Sequence, residues 1–315
     1  MYKECIYSSS IKDVRVADVL LFKELKANEK HIPKFRDPKQ LFFRILLNLL
    51  FNHRKKEGYQ WRHKNFFNMT YTYSTKSDIQ KTYFGKWTQE PINDKFKKYY
   101  RLVTKIPTIN DLKKKKKHIV WTVSDCETAS QREVAVKLLR KYIPVNQYGT
   151  CNNRFLKYNS FSSKFRKVYE NHYFYLALEN SDCKDYVTEK YFSRVYYNSI
   201  PIVGFRKHYE HIAPKNSFIA MDDFESPKAM AKYLLYLIKN KKEYLKYFAY
   251  RKDGWKIFDI DNATDNFCSL CAKLVEMKKS GELKNYHKVY YDARETFLNW
   301  TKCQEDGFFW QKWKN

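Results

Sequence analysis

ENSDCKDYVTEK, residues 179–190, is the stretch on which the fold turns. Before it stands the apolar run Tyr173-Phe-Tyr-Leu-Ala-Leu178, and after it Ile200-Pro-Ile-Val-Gly204. Both runs are short, rich in aromatic or β-branched residues, and bounded by polar ones, which predicts buried strands. Between them Thr188 is placed to cap a helix whose apolar face is Phe192, Val195 and Tyr196. The order strand, loop, helix, strand is the βαβ unit of an open parallel sheet. In such sheets ligands sit beyond the carboxyl ends of the strands. Unpaired N–H groups at the helix start favour phosphate. Lys190 adds a cation there and Glu189 an acceptor for sugar hydroxyls, a polarity that suits a diphosphate sugar.

The rest of the chain repeats this alternation. Val19–Phe22 and Phe66–Tyr73 predict strands, and Leu41–Leu50 is a buried strand or a short helix by the same criteria. Ser77-Asp-Ile79 predicts a turn that opens the next element. Ile119–Val123 predicts a strand, followed by Ser130-Gln-Arg-Glu133 as a capping box for a helix to about Lys141. Arg132 then falls in the first helical turn, where the dipole disfavours a cation unless it faces an anion. Tyr142–Cys151 predicts another strand, and Ser226-Pro227 the start of another helix. The five lysines of 113–117 repel one another and predict a solvated linker. The expected division is an N-terminal domain over 1–112, the linker 113–117, a second domain over 118–290, and a C-terminal segment 291–315 returning to the first.

A chain of 315 residues has enough length for two modest cores. Its net charge of +27 fits an anionic substrate, a polyanion or an anionic membrane face. The basic runs lack interleaved aromatics, which argues against single-stranded nucleic acid. No apolar stretch is long enough to span a bilayer. The seven cysteines do not spell out a four-cysteine zinc site, because Cys268 and Cys271 have no second pair beside them. Asp259-Ile-Asp261 has the spacing of a metal-binding motif but lies far from residues 179–190, and His208 and His211 read as packing or surface residues.

Residues 174–204, FYLALENSDCKDYVTEKYFSRVYYNSIPIVG, resemble the nucleotide-sugar signature of the α1,3-fucosyltransferases of glycosyltransferase family 10. Blocks at 17–22, 67–79, 121–132, 142–151 and 209–234 follow in that family's order. The resemblance implies a GT-B-like α/β fold, with two Rossmann-type domains facing across a cleft. It implies inverting transfer of L-fucose from GDP-fucose to the 3-hydroxyl of GlcNAc in a glycoprotein or glycolipid glycan, with no metal or further cofactor. Arg132 and Lys190 would hold the diphosphate, and Asn180, Tyr186 and Glu189 the ribose, fucose or guanine. The family's base is a first-domain glutamate, for which Glu57 is the nearest acid. The resemblance also implies disulfides drawn from Cys5, Cys126, Cys151, Cys183, Cys268 and Cys271, with Cys5 pairing with Cys268 or Cys271. It implies a Golgi lumen, reached by a type II protein whose N-terminal anchor precedes this chain, and the glycosylation triplets Asn68-Met-Thr70, Asn262-Ala-Thr264 and Asn299-Trp-Thr301 support a secretory lumen. A catalytically impaired homologue that binds GDP-fucose or glycan, or a basic polyanion-binding protein, would share many of these features.

Overall fold

The computed structural model describes residues 4–23, 40–46, 64–80, 85–92, 94, 97, 100–152, 162–258, 268–304 and 307–313. The chain forms two units. One comprises Met1–Thr82 and Ile260–Lys302, the other Tyr83–Asp259 and Cys303–Asn315.

In the first unit, β1 (Val19–Lys23), β2 (Leu41–Leu46), β3 (Met69–Thr72) and β4 (Ile79–Gln80) lie in that order, each pair parallel. The run that begins at Leu41 is therefore a strand, hydrogen-bonded on both sides. Leu41, Met69, Tyr71 and Ile79 are buried with Leu270 and Met277 of the helix Cys268–Lys279. The disulfide Cys5–Cys271 ties that helix to the N-terminal segment. Asp78, just before β4, does more than form a turn. It accepts from the Thr70 backbone N–H at 2.8 Å, the Tyr290 hydroxyl at 2.8 Å and the Lys288 ammonium at 2.6 Å. Asn68 departs from expectation as a glycan acceptor. Its side chain is buried and its amide donates to the Lys288 carbonyl at 3.0 Å, so the nitrogen that would carry the sugar faces protein. Asn299 is exposed on the helix Ala293–Thr301, and Asn262 lies outside the described residues.

The second unit contains a small antiparallel sheet in which β5 (Lys86–Thr88) and β6 (Tyr100–Leu102) flank the distant β12 (Lys256–Phe258). This pairing draws residues 83–112, expected in the first domain, into the second. Its main sheet is parallel throughout, in the order β11 (Ile219–Ala220), β10 (Ile200–Val203), β9 (His172–Leu176), β7 (Lys117–Thr122), β8 (Val145–Tyr148). Along the central β9 and its continuation, Tyr173, Phe174 and Leu176 belong to one core cluster, Tyr175 and Ala177 to the other. The sheet is thus covered on both faces, which is why its strands are continuous apolar runs rather than alternating ones. Pro227–Lys239 is a helix capped by Ser226, with Met230, Leu234 and Leu237 buried, as the sequence predicted.

The lysine run 113–117 is not a linker. Lys113 ends the helix Ile109–Lys113 and Lys117 begins β7. Lys115 is buried, and its ammonium donates to the carbonyls of Glu170 at 2.6 Å and His172 at 2.8 Å. The chain enters β7 beside the end of the helix Ser163–Glu170, where unpaired carbonyls need donors. Burial, opposed by Glu170 and Asp111 and assisted by Lys241, pulls the Lys115 amine down to about 7. An unfolded chain keeps that proton up to about 10.4. Between these values the unfolded state binds more protons, so stability rises with pH across the window. Lys115→Met is expected to flatten the rise. Urea denaturation at pH 7 and pH 9.5 checks this, and an unchanged wild-type-minus-variant difference would refute it.

The C-terminal segment is likewise divided. Residues up to Lys302 belong to the first unit. The helix Phe308–Lys312 belongs to the second, where Trp310 and Trp313 are buried in the cluster that also holds Leu139, Leu234 and Tyr244.

Candidate active site

The site is built at the carboxyl end of β9. The Ala177 N–H still donates across to the Ile202 carbonyl at 2.8 Å, and the loop begins beyond it. Three consecutive loop carbonyls are then received by one short segment. Leu178 O accepts from the Arg132 guanidinium at 2.6 Å, Glu179 O from the Ser130 hydroxyl at 2.7 Å, and Asn180 O from the Ser130 backbone N–H at 3.0 Å. The expected capping box is absent, because the helix begins at Arg132 with Gln131 rather than Ser130 in the capping position. The helix Arg132–Leu139 follows Gln131, which is left-handed at φ 49° and makes no side-chain cap. Glu133 instead accepts from the Thr128 hydroxyl at 3.0 Å. Residues 130 and 131 are also clasped from the C-terminal side. The Trp310 indole donates to the Ser130 carbonyl. A Cβ on Gly307, at φ +63°, would stand 2.7 Å from the Gln131 Cβ.

Arg132 is buried. Its guanidinium also donates to the Asp125 carbonyl at 3.2 Å and lies 5.9 Å from the Trp121 ring, and its Nε has no hydrogen-bond partner among the described residues. The Asp125 carboxylate accepts from the Asn180 amide at 2.7 Å, and Asn180 Oδ1 is buried without a partner among the described residues. Arg132 and Asn180 thus meet through Asp125. The loop is pinned further on by the disulfide Cys183–Cys303 and by the Gln304 N–H donating to the Asp182 carbonyl at 2.8 Å. Burial, reinforced by Glu179, pushes the Asp182 carboxyl well above its ordinary range. Tyr186 is buried, at 2% exposure. His208 is buried, which holds its imidazole down at about 4, and His211 bonds Asp185 at 3.1 Å.

Lys190 and Glu189 open the short helix Glu189–Phe192, which Thr188 caps as predicted. Two of the backbone N–H groups expected there for phosphate are engaged within the protein. Thr188 N–H donates to Glu179 Oε1 at 2.8 Å and Lys190 N–H to Thr188 Oγ1 at 3.4 Å. What the helix start presents is the Lys190 ammonium, which contacts Glu179 at 2.9 Å, Thr188 Oγ1 at 3.0 Å and Glu189 at 3.4 Å. Burial would raise the Glu189 carboxyl, but Lys190, its own backbone N–H and Thr188 outweigh it and hold it below its usual range. Glu179 is the residue the sequence did not single out. Its signal was an acid directly after a fully buried strand, which must find partners.

Glu57, Asp259 and Asp261 lie outside the described residues. Cys126–Cys151 joins the loops after β7 and β8, and Cys303 supplies the partner for Cys183 that the sequence left open.

Fold and loop together define a doubly wound α/β protein with a charged site at the strand ends. Residues 112–292 match the glycosyltransferase family 10 (fucosyltransferase) C-terminal domain. The alpha-(1,3)-fucosyltransferase fut-5 of Caenorhabditis elegans is 30% identical over 297 residues, covering 91% of this chain and 73% of that protein. The same organism's alpha-(1,3)-fucosyltransferase fut-1 is 42% identical over 165 residues, 50% of this chain and 38% of that one. The glycoprotein 3-alpha-L-fucosyltransferase A of Drosophila melanogaster is 37% identical over 213 residues, 66% of this chain and 39% of that one. A solved alpha1,3-fucosyltransferase with GDP-fucose superposes with a TM-score of 0.49 at 17% identity over 80% of each chain. The matched region spans well under half the length of fut-1 and of the fly protein, and about three quarters of fut-5. The chain belongs to glycosyltransferase family 10.

Proposed function

We propose that this chain transfers L-fucose from GDP-fucose to the 3-hydroxyl of GlcNAc in a glycan, with inversion at the anomeric carbon. The observation that carries this is the Lys190 ammonium at the carboxyl end of β9, inside the family 10 domain. A β-linked donor and an α-linked product require one in-line displacement. The acceptor O3 forms its bond to the anomeric carbon while the bond from that carbon to the phosphate oxygen breaks. GDP leaves with that electron pair, and a base takes the hydroxyl proton. Lys190 neutralises charge developing on the diphosphate. Glu189, ionised beside it, accepts from donor hydroxyls, and Arg132 and Asn180 hold the loop in place. Glu57 is the proposed base. The three disulfides among the described residues support an oxidising compartment, in keeping with a Golgi lumen.

The test is acceptor-dependent release of GDP from GDP-fucose with GlcNAc-terminated glycans. Wild type should turn over, and Lys190→Ala should lower kcat/KM by about 100-fold. Saturable GDP binding with no turnover would instead indicate an impaired homologue.

A further inference from the structure

We propose that Glu179 is the positioning residue that fixes the Lys190 ammonium toward the donor diphosphate, an inference that rests on the GDP-fucose reading above. An ammonium has three N–H donors. Here three oxygens receive them, from Glu179, Thr188 and Glu189, but they are not equivalent. The Glu179 side chain is 5% exposed, and its second oxygen is fixed by the Thr188 N–H and hydroxyl. Glu189 is 40% exposed and makes the longest of the three contacts. Glu179 and Thr188 are thus the fixed partners, and Glu189 is the one an arriving phosphate displaces. The exchange leaves two N–H groups anchored and aims the third at the diphosphate. It also releases the Glu189 carboxylate to donor hydroxyls. Without the charge of Glu179, the remaining anion paired with Lys190 among the described residues is Glu189. The two then close on each other and neither is presented to the donor.

Glu179 also receives the Thr188 N–H, so it has a helix-capping role that glutamine retains. Glu179→Gln therefore separates charge from capping. The experiment is calorimetric titration with GDP of wild type, Glu179→Gln, Lys190→Ala and the double variant. Each single change should weaken GDP binding about tenfold, the loss of one charge-assisted hydrogen bond. The double variant should bind within about twofold of Lys190→Ala, because the two act through one contact. Full additivity would assign Glu179 to loop packing and overturn the proposal, as would unchanged affinity in Glu179→Gln. Unchanged affinity in Lys190→Ala would overturn the donor-site reading itself, a distinct result. If Glu179→Gln does not fold, Glu179→Asp, which keeps the charge but shortens the reach, takes its place in the same cycle.

Discussion

Arg132→Met is expected to lower the unfolding free energy by about 3 kcal/mol, because it leaves two buried or half-buried carbonyls without their donor at roughly 1–3 kcal/mol each. Methionine is unbranched and fills most of the same volume, so the loss is one of hydrogen bonds more than of packing. The carbonyls concerned are those of Leu178 and Asp125, at 2.6 and 3.2 Å from the guanidinium. They sit on either side of the site, one at the end of β9 and the other beyond β7. Losing their common donor uncouples the two loops, and with them the Asp125–Asn180 bond at 2.7 Å. GDP affinity should fall along with stability. Arg132→Lys should recover little of either, since the two carbonyls are met by different nitrogens of the planar guanidinium, which a shorter, compact ammonium does not reproduce. Urea denaturation measures the first effect and calorimetric titration the second. A stability change under about 1 kcal/mol, within the range of ordinary surface substitutions, would show that the buried guanidinium does not hold the loops together.

The same residue shows where the sequence is informative and where it stops. Its unusual place in a first helical turn was visible, and the sequence reading was that a cation there faces a bound anion. What the guanidinium meets in the structure is the Leu178 carbonyl, 46 residues away, and no local pattern encodes that contact. Ser130 fails as a cap because the helix starts only after the left-handed Gln131, and its hydroxyl instead donates to the Glu179 carbonyl, 49 residues away. By contrast β9, β10 and the caps at Thr188 and Ser226 are local matters of side-chain type and spacing, and they appear where expected. The lysine run was misleading because repulsion between like charges can be read from sequence, while the carbonyls that receive Lys115 cannot. The Asn68 triplet carries no information on burial. Residues 83–112 joined the second unit because β5 and β6 pair with β12, which follows more than a hundred residues later. The polarity of the site was legible in Glu189 and Lys190. The restraint on that polarity, through Glu179, was not.

Removing the Cys183–Cys303 bond is expected to destabilise the second unit more than removing Cys126–Cys151. The first closes a separation of 120 residues and the second one of 25. Restricting the unfolded chain over such loops corresponds to about 5 and about 3.5 kcal/mol respectively. Position widens the gap. Cys303 leads into the segment that carries Trp310 and Trp313, whose indoles donate to the carbonyls of Ser130 and Phe224. Cys183 lies in the loop between Glu179 and Lys190. Cutting this bond therefore frees the loop at one end and weakens the clasp on Ser130 at the other, so GDP binding should suffer with stability. The paired substitutions Cys183→Ser with Cys303→Ser, and Cys126→Ser with Cys151→Ser, give the comparison by urea denaturation. A smaller loss in the first pair would mean that the two tryptophans hold the segment without the covalent tie. In that case buried aromatic packing, rather than the cross-link, is what keeps the C-terminal helix against the site.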